Sequence, residues 1–171
     1  RVQTLFANEG DAGDSFGYSI AIEGDTMVVG AQCDDGLNNS QTSQGAAYVY
    51  QRVGNQWYQT QKLNADNATP HALFGDKVKL INQQIMIGAS YESSNGLKAS
   101  GAAYVFDYRE GHWVQSGLLR AGNSGAHDRF GWAMTTNRDT LFIGAPQEDS
   151  PTDFDDGLNN RENSGSVYVF K

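Results

Sequence analysis

Apolar and polar residues alternate in short bursts along this chain, and no stretch carries a helical period. From Phe74 to Leu80, Val78 and Leu80 alternate with polar neighbours, as in a half-buried strand. Ile81-Asn-Gln-Gln84 is a polar turn, and Ile85-Met-Ile-Gly-Ala89 is a short apolar run suited to a strand covered on both faces. Residues 91–100 read as a polar loop. Gly101-Ala-Ala-Tyr-Val-Phe-Asp-Tyr108 is a third strand of small and aromatic residues. Glu110-Gly-His112 turns the chain into a fourth strand, Trp113 to Leu119. The first third of the chain repeats the pattern, with strands predicted over 16–22, 26–31, 45–52 and 57–63 and a turn at Glu23-Gly-Asp25.

The pattern recurs because the sequence itself does. Phe-Gly stands at Phe16-Gly17, Phe74-Gly75 and Phe130-Gly131, and Gly-Ala at Gly30-Ala31, Gly88-Ala89 and Gly144-Ala145. Both series step by 58 and then 56 residues. Each unit closes on Gly45-Ala-Ala-Tyr-Val-Tyr50, Gly101-Ala-Ala-Tyr-Val-Phe106 or Gly165-Ser-Val-Tyr-Val-Phe170. Four antiparallel strands in a repeat of roughly 57 residues describe a blade of an all-β propeller. A sandwich would not require threefold likeness, and a β-helix repeats over a shorter length.

The expected organisation is one repeat domain over 1–171. Residues 1–15 supply an outer strand and interblade loop, 16–73 the first blade, 74–129 the second, and 130–171 a third blade lacking its outer strand. Arg1 to Ala7 aligns with Gln59 to Ala65, part of a fourth strand. Three blades are incomplete alone, because propellers run from four to eight. The expected complement is either the remainder of a larger propeller or a second copy in a six-bladed homo-oligomer.

Composition narrows the partners. Hydrophobic residues make up 39% and charged residues 19%, as in a globular protein, and 20 Gly against three Pro suit many tight turns. A net charge of -8 argues against nucleic acid, whose phosphates call for Lys and Arg. It suits cations, basic partners or neutral ligands such as sugars. No apolar run has the length for membrane insertion through a helix. Cys33 is the one cysteine, so no internal disulfide forms.

Phe-Gly, then Gly-Ala (Gly144-Ala-Pro146 in the third copy), then Gly-x-x-Tyr-Val-Phe/Tyr resembles the FG-GAP repeat, the blade unit of the integrin alpha-subunit propeller. The resemblance covers the whole chain. It implies an extracellular or cell-surface, noncatalytic recognition or adhesion module, with a protein or glycan ligand on the loop face of the propeller. Many integrin-type blades carry an Asp-x-Asp-x-Asp-Gly calcium loop in the first hairpin. Here those turns read Glu23-Gly-Asp-Thr26, Asn82-Gln-Gln84 and Asn137-Arg-Asp-Thr140, and none has three acidic ligands at alternate positions.

The leading site candidate is Asp34-Asp-Gly-Leu-Asn-Asn39, repeated as Asp155-Asp-Gly-Leu-Asn-Asn160, both between strands two and three. Asp34, Asp35, Asp155 and Asp156 are the candidate ligands of Ca²⁺, the expected cofactor, through carboxylate oxygen. With Asn38, Asn39, Asn159 and Asn160 they form a candidate ligand-binding set that sugar hydroxyls would also suit. The same letters serve as ordinary turn formers, and the middle copy, Tyr91-Glu-Ser-Ser-Asn-Gly-Leu-Lys98, lacks the paired Asp.

Trp132, directly after Phe130-Gly131, is the candidate for stacking on a sugar, whereas Trp57 and Trp113 recur at a scaffold position and read as blade packing. Asp14 and Asp128 are expected to cap the following turn by accepting backbone N–H bonds. His71 and His127 share one repeat position, which a metal or pH-sensitive role or a solvated loop would each explain. Asn38-Asn-Ser40 and Asn67-Ala-Thr69 match the glycosylation acceptor pattern. No Gly-x-Ser-x-Gly, His-Glu-x-x-His or phosphate-loop motif is present, in keeping with a noncatalytic reading or a multivalent lectin. A structural part of a larger secreted protein or enzyme is the further alternative.

Overall fold

The computed structural model describes residues 3–36, 40–137, 139–149 and 163–171. β1 (Phe16–Glu23), β2 (Thr26–Ala31), β3 (Ala46–Val53) and β4 (Gln56–Leu63) form one antiparallel sheet in chain order. β5 (Lys77–Ile81), β6 (Gln84–Ala89), β7 (Ala102–Arg109) and β8 (His112–Leu119) form a second. β9 (Ala133–Asn137), β10 (Thr140–Ala145) and β11 (Ser166–Phe170) form a third, three-stranded among the described residues. The first strands of the sheets stand side by side, with β5 between β1 and β9. This is an open arc of an all-β propeller. Chain direction gathers the β2–β3, β6–β7 and interblade loops at one end of the arc, and the tight hairpins at the other.

Local chemistry explains the strands. Asn82 and Gln83 both take positive φ, 49° and 61°, the two-residue turn whose twist matches an antiparallel hairpin. β2 and β6 end in continuous buried runs, so the apolar stretches without alternation are strands covered on both faces. β5 begins at Lys77 rather than Phe74 because Phe74 pairs with Gly45 of the preceding blade, in parallel.

The core lies between the sheets. Val28, Ala47 and Val49 of the first sheet pack against Phe74, Val78, Ile87, Tyr104 and Phe106 of the second. Met86 and Ala103 meet Phe130, Met134, Ile143 and Tyr168 of the third in the same way. Each Phe of a Phe-Gly pair meets the Tyr of its own third strand edge-on, with centroids 5.6 Å (Phe16–Tyr48), 5.3 Å (Phe74–Tyr104) and 5.3 Å (Phe130–Tyr168) apart.

The sheets are joined backbone to backbone. The N–H groups of His71, Leu73 and Phe74 donate to the carbonyls of Thr42, Ser43 and Gln44, at 2.8, 3.2 and 2.9 Å. His127, Arg129 and Phe130 repeat this on Lys98, Ala99 and Ser100, at 2.7, 3.2 and 3.0 Å. The shared position of His71 and His127 therefore reflects a backbone role: both adopt positive φ, 62° and 72°, to present that donor. At the seam between the first two sheets, Gly45 has φ +88°, and a Cβ there would lie 2.0 Å from the Phe74 carbonyl oxygen.

Residues 3–8 run beside β4 as an outer strand of a preceding blade would. Gln3 clasps Trp57, donating from Nε2 to its carbonyl at 2.8 Å and accepting its N–H at 2.9 Å. Gln61 clasps Trp113 of the next blade identically, at 2.7 and 2.8 Å. Tyr50 also donates to the Phe6 carbonyl at 2.7 Å. Trp57 and Trp113 thus serve blade packing.

Gly45→Ala is expected to lose about 3 kcal/mol of stability through the forced backbone shift and strained φ. Gly54→Ala, at φ +61° with open space around it, is expected to lose about 1 kcal/mol. Urea-unfolding midpoints of the two variants measure the difference.

Candidate functional site

The β2–β3 loop and its repeats meet the interblade loops through the backbone. The N–H groups of Cys33, Tyr91 and Gln147 donate to the carbonyls of Asp14, Ala72 and Asp128, at 3.2, 3.3 and 3.3 Å. Beside these bonds each repeat buries one acid: Asp34, Glu92 and Glu148, exposed by 2, 1 and 3%. The carbonyl of each takes the N–H of the glycine before the third strand, Gly45, Gly101 or Gly165, at 2.9, 3.0 and 2.9 Å.

The acid side chains are engaged by their own blades and, for Glu92 and Glu148, by the preceding interblade loop as well. Asp34 accepts the Gly36 N–H at 2.9 Å and the Tyr48 hydroxyl at 2.7 Å, and pairs with Lys62 Nζ at 2.9 Å. Glu92 pairs with Arg120 at 2.8 Å and accepts from Asn67 Nδ2 at 3.3 Å. Glu148 accepts from Asn123 Nδ2 at 2.7 Å and the Tyr168 hydroxyl at 2.8 Å. Asp35 Oδ1 accepts the Ser43 N–H at 2.6 Å.

Of the expected ligand and Ca²⁺ set, Asp34 and Asp35 are the described members, and Asp35 is half-buried. Asp34 is buried, paired with a cation and saturated by donors, so it organises the blade instead of facing solvent. Asn38, Asn39, Asp155, Asp156, Asn159 and Asn160 lie outside the described residues. In the first hairpin Asp25 pairs with Arg52 at 2.6 Å. Among the described residues no group of three or more His, Cys, Asp or Glu is placed to hold a metal.

Asp14 and Asp128 accept backbone N–H bonds, but from the turn that precedes each of them and not from the one that follows. Asp14 Oδ2 accepts the Asp11 N–H at 2.7 Å, and Asp128 Oδ2 accepts that of Gly125. Capping brings each close to the blade acid. Burial, opposed by the Asp11 N–H and reinforced by the Asp34 charge, raises the Asp14 carboxyl. Lys62 offsets that charge in the first blade. In the third blade no Lys or Arg pairs with Asp128 or Glu148 among the described residues. Burial, opposed by the Tyr168 hydroxyl and reinforced by the Asp128 charge, pushes the Glu148 carboxyl up to about 7. Burial likewise raises Asp76 to about 6, opposed by the Ser90 hydroxyl and Lys77.

Trp132 stands in a different setting. It is 39% exposed, at the loop end of the arc. The Arg129 guanidinium lies 5.3 Å and the Lys77 ammonium 5.7 Å from its ring. Tyr91 is 6.5 Å from it, with Arg129 4.6 Å over the Tyr91 ring, and Lys77 also lies 5.3 Å from the half-exposed ring of Tyr18. All three sheets or their loops thus contribute to one cluster of aromatics and cations. Sequence reading singled out Trp132 and missed its neighbours. Tyr18 and Trp132 do share a repeat position after Phe-Gly, which is the signal that links them. The opposite end of the arc holds an open groove of about 790 Å³ lined by Glu23, Gln51, Asn82, Gln83, Tyr108 and Trp113.

Fold and seams together define an arc of propeller blades with Phe-Gly joints. The FG-GAP repeat profile matches residues 1–50, 57–106 and 113–170, and the chain belongs to that family. Each match opens on the outer strand and closes on the third. The crystal structure of the computationally designed Ika4 protein is similar, with 14% identity, a TM-score of 0.47, and coverage of 98% of this chain and 97% of that one. No curated protein matches the chain.

The raised acids fix the pH response. Folded Glu148 and Asp76 hold protons that the unfolded chain, near 4.5 and 3.8, releases. Between those values and about 7 the native state binds the extra protons, so stability falls as pH rises through this window. Thermal unfolding should show a loss of about 1–2 kcal/mol from pH 5 to 8, with the slope reduced in Glu148→Gln. A slope unchanged by the substitution contradicts the assignment.

Proposed function

We propose that the chain is a noncatalytic, extracellular recognition module that binds its ligand at the loop end of the arc, over Trp132. The observation that carries this reading is the cluster of Tyr18, Tyr91 and Trp132 interleaved with Lys77 and Arg129. The protein carries a net charge of -8, and this patch concentrates cations against it. Exposed aromatic faces stack on sugar rings or apolar side chains, while an ammonium and a guanidinium attract carboxylates. The favoured ligand is therefore a glycan or protein segment that presents carboxylates beside an apolar face. This reading does not draw on calcium, because the carboxylate of Asp34 is taken up by Tyr48 and Lys62.

A second reading rests on the groove at the hairpin end. Its amides and the exposed Tyr108 suit the hydroxyls and ring face of a neutral sugar, which is the lectin alternative.

An array of acidic and neutral oligosaccharides and acidic peptides, followed by calorimetric titration of the best binder, tests both. The first reading predicts a carboxylate-bearing ligand, salt-sensitive binding, and about a tenfold loss or more for Trp132→Ala. Binding that survives Trp132→Ala and is lost in Tyr108→Ala favours the neutral-sugar groove and contradicts the first reading.

A further inference from the structure

The two ends of the arc are halves of one joint. Within the chain, each Phe-Gly seats in a trough formed by the Gly-Ala and third-strand glycine of the preceding blade. A Cβ on Gly30 would lie 2.0 Å from the Gly75 carbonyl oxygen, and one on Gly88 would lie 2.6 Å from that of Gly131. In the third sheet the equivalent residues, Ala133, Gly144, Ala145, Gly165 and Ser166, line an open groove of about 470 Å³. At the other end, Gly17 of the first Phe-Gly has no atom within 4 Å of where its Cβ would be.

The surrounding side chains tell the same story. Ile20 is 61% exposed, whereas its repeat counterpart Val78 is 4% exposed. Val167 and Val169 are 68% and 54% exposed, and their counterparts Ala47 and Val49 are fully buried against the next sheet. Residues 3–7 already lie where the outer strand of a preceding blade belongs, held by the Gln3–Trp57 clasp. Among the described residues β11 meanwhile has one neighbour, β10.

We propose that two copies of this chain close head to tail, the Phe16-Gly17 of each seating in the Gly144/Gly165 groove of the other. Residues 3–7 of one copy then lie along β11 of the other and complete its blade. The contact is heterologous, so one surface fits a different surface on the partner. The observation that selects a second copy is the match of both free faces to joints that this chain already makes twice. Two copies give a ring within the blade numbers propellers use, whereas three copies exceed it. Tyr18 is 53% exposed although a blade follows it, so its counterpart Trp132 stays accessible in the closed ring.

Gly144→Val tests this selectively. Gly144 is free of the positive φ of its neighbours, and a Cβ there meets only Ala133, at 3.4 Å. The chain alone therefore tolerates the side chain, while an incoming Phe-Gly carbonyl does not. Light scattering of the 171-residue chain should give twice its 18.6 kDa mass. Gly144→Val and, independently, Val167→Glu should return it to a single-chain mass with an unchanged circular dichroism spectrum. A single-chain mass for the unsubstituted protein at every concentration overturns the proposal and points to blades from another polypeptide. A doubled mass that persists in both variants overturns it too, as does an open-ended polymer.

Discussion

The structure depends on how closely two backbones approach where one blade meets the next. The Gly75 carbonyl oxygen occupies the place a Cβ on Gly30 would need, and the Phe74 carbonyl does the same at Gly45. No side chain fits between them, so glycine is required on the receiving strands by space, and at Gly45 by φ as well. That approach lets Phe74 reach the seam, where it meets Tyr104 edge-on and is sealed by Val28, Ala47 and Val49. A repeat protein of this kind draws its core from neighbouring units, and here the core is the set of seams.

The buried acids follow from the same arrangement. Where the interblade loop meets the β2–β3 loop, the backbone carbonyl of the acid residue takes the glycine N–H, and in the first blade the Asp34 carboxylate also takes the Gly36 N–H. Burying a carboxylate is costly without partners, and the blades meet this differently. Lys62 serves Asp34 and Arg120 serves Glu92, whereas Glu148 relies on Asn123 and Tyr168 and its carboxyl is raised by burial. Lys77 and Arg129 are left to the aromatic cluster at the loop end, where recognition is proposed.

The fold was legible because it is written three times. The strands expected over 16–22, 26–31, 45–52 and 57–63 are those observed, and only the second blade's first strand starts later, at Lys77, because its Phe-Gly pairs across the seam. The site was legible in one residue. Asp34 read as a ligand because it sits in Asp-Asp-Gly-Leu-Asn-Asn, letters that also make turns. The sign of a scaffold role was available in Glu92 and Glu148, acids one and two repeat steps away. Of the partners of Trp132, Tyr18 is linked to it by repeat position, but Lys77, Tyr91 and Arg129 were not legible, because local patterns carry no information about what meets across a seam.

Native-state hydrogen exchange tests the central claim most directly. If the seams are the core, the amides of Phe74 and Phe130, which donate to Gln44 and Ser100, should exchange only through global unfolding, with the same free energy as the centres of β2 and β6. Exchange of those two amides through a low-energy opening, while β2 and β6 remain protected, would mean that each sheet is stable by itself and would contradict the account.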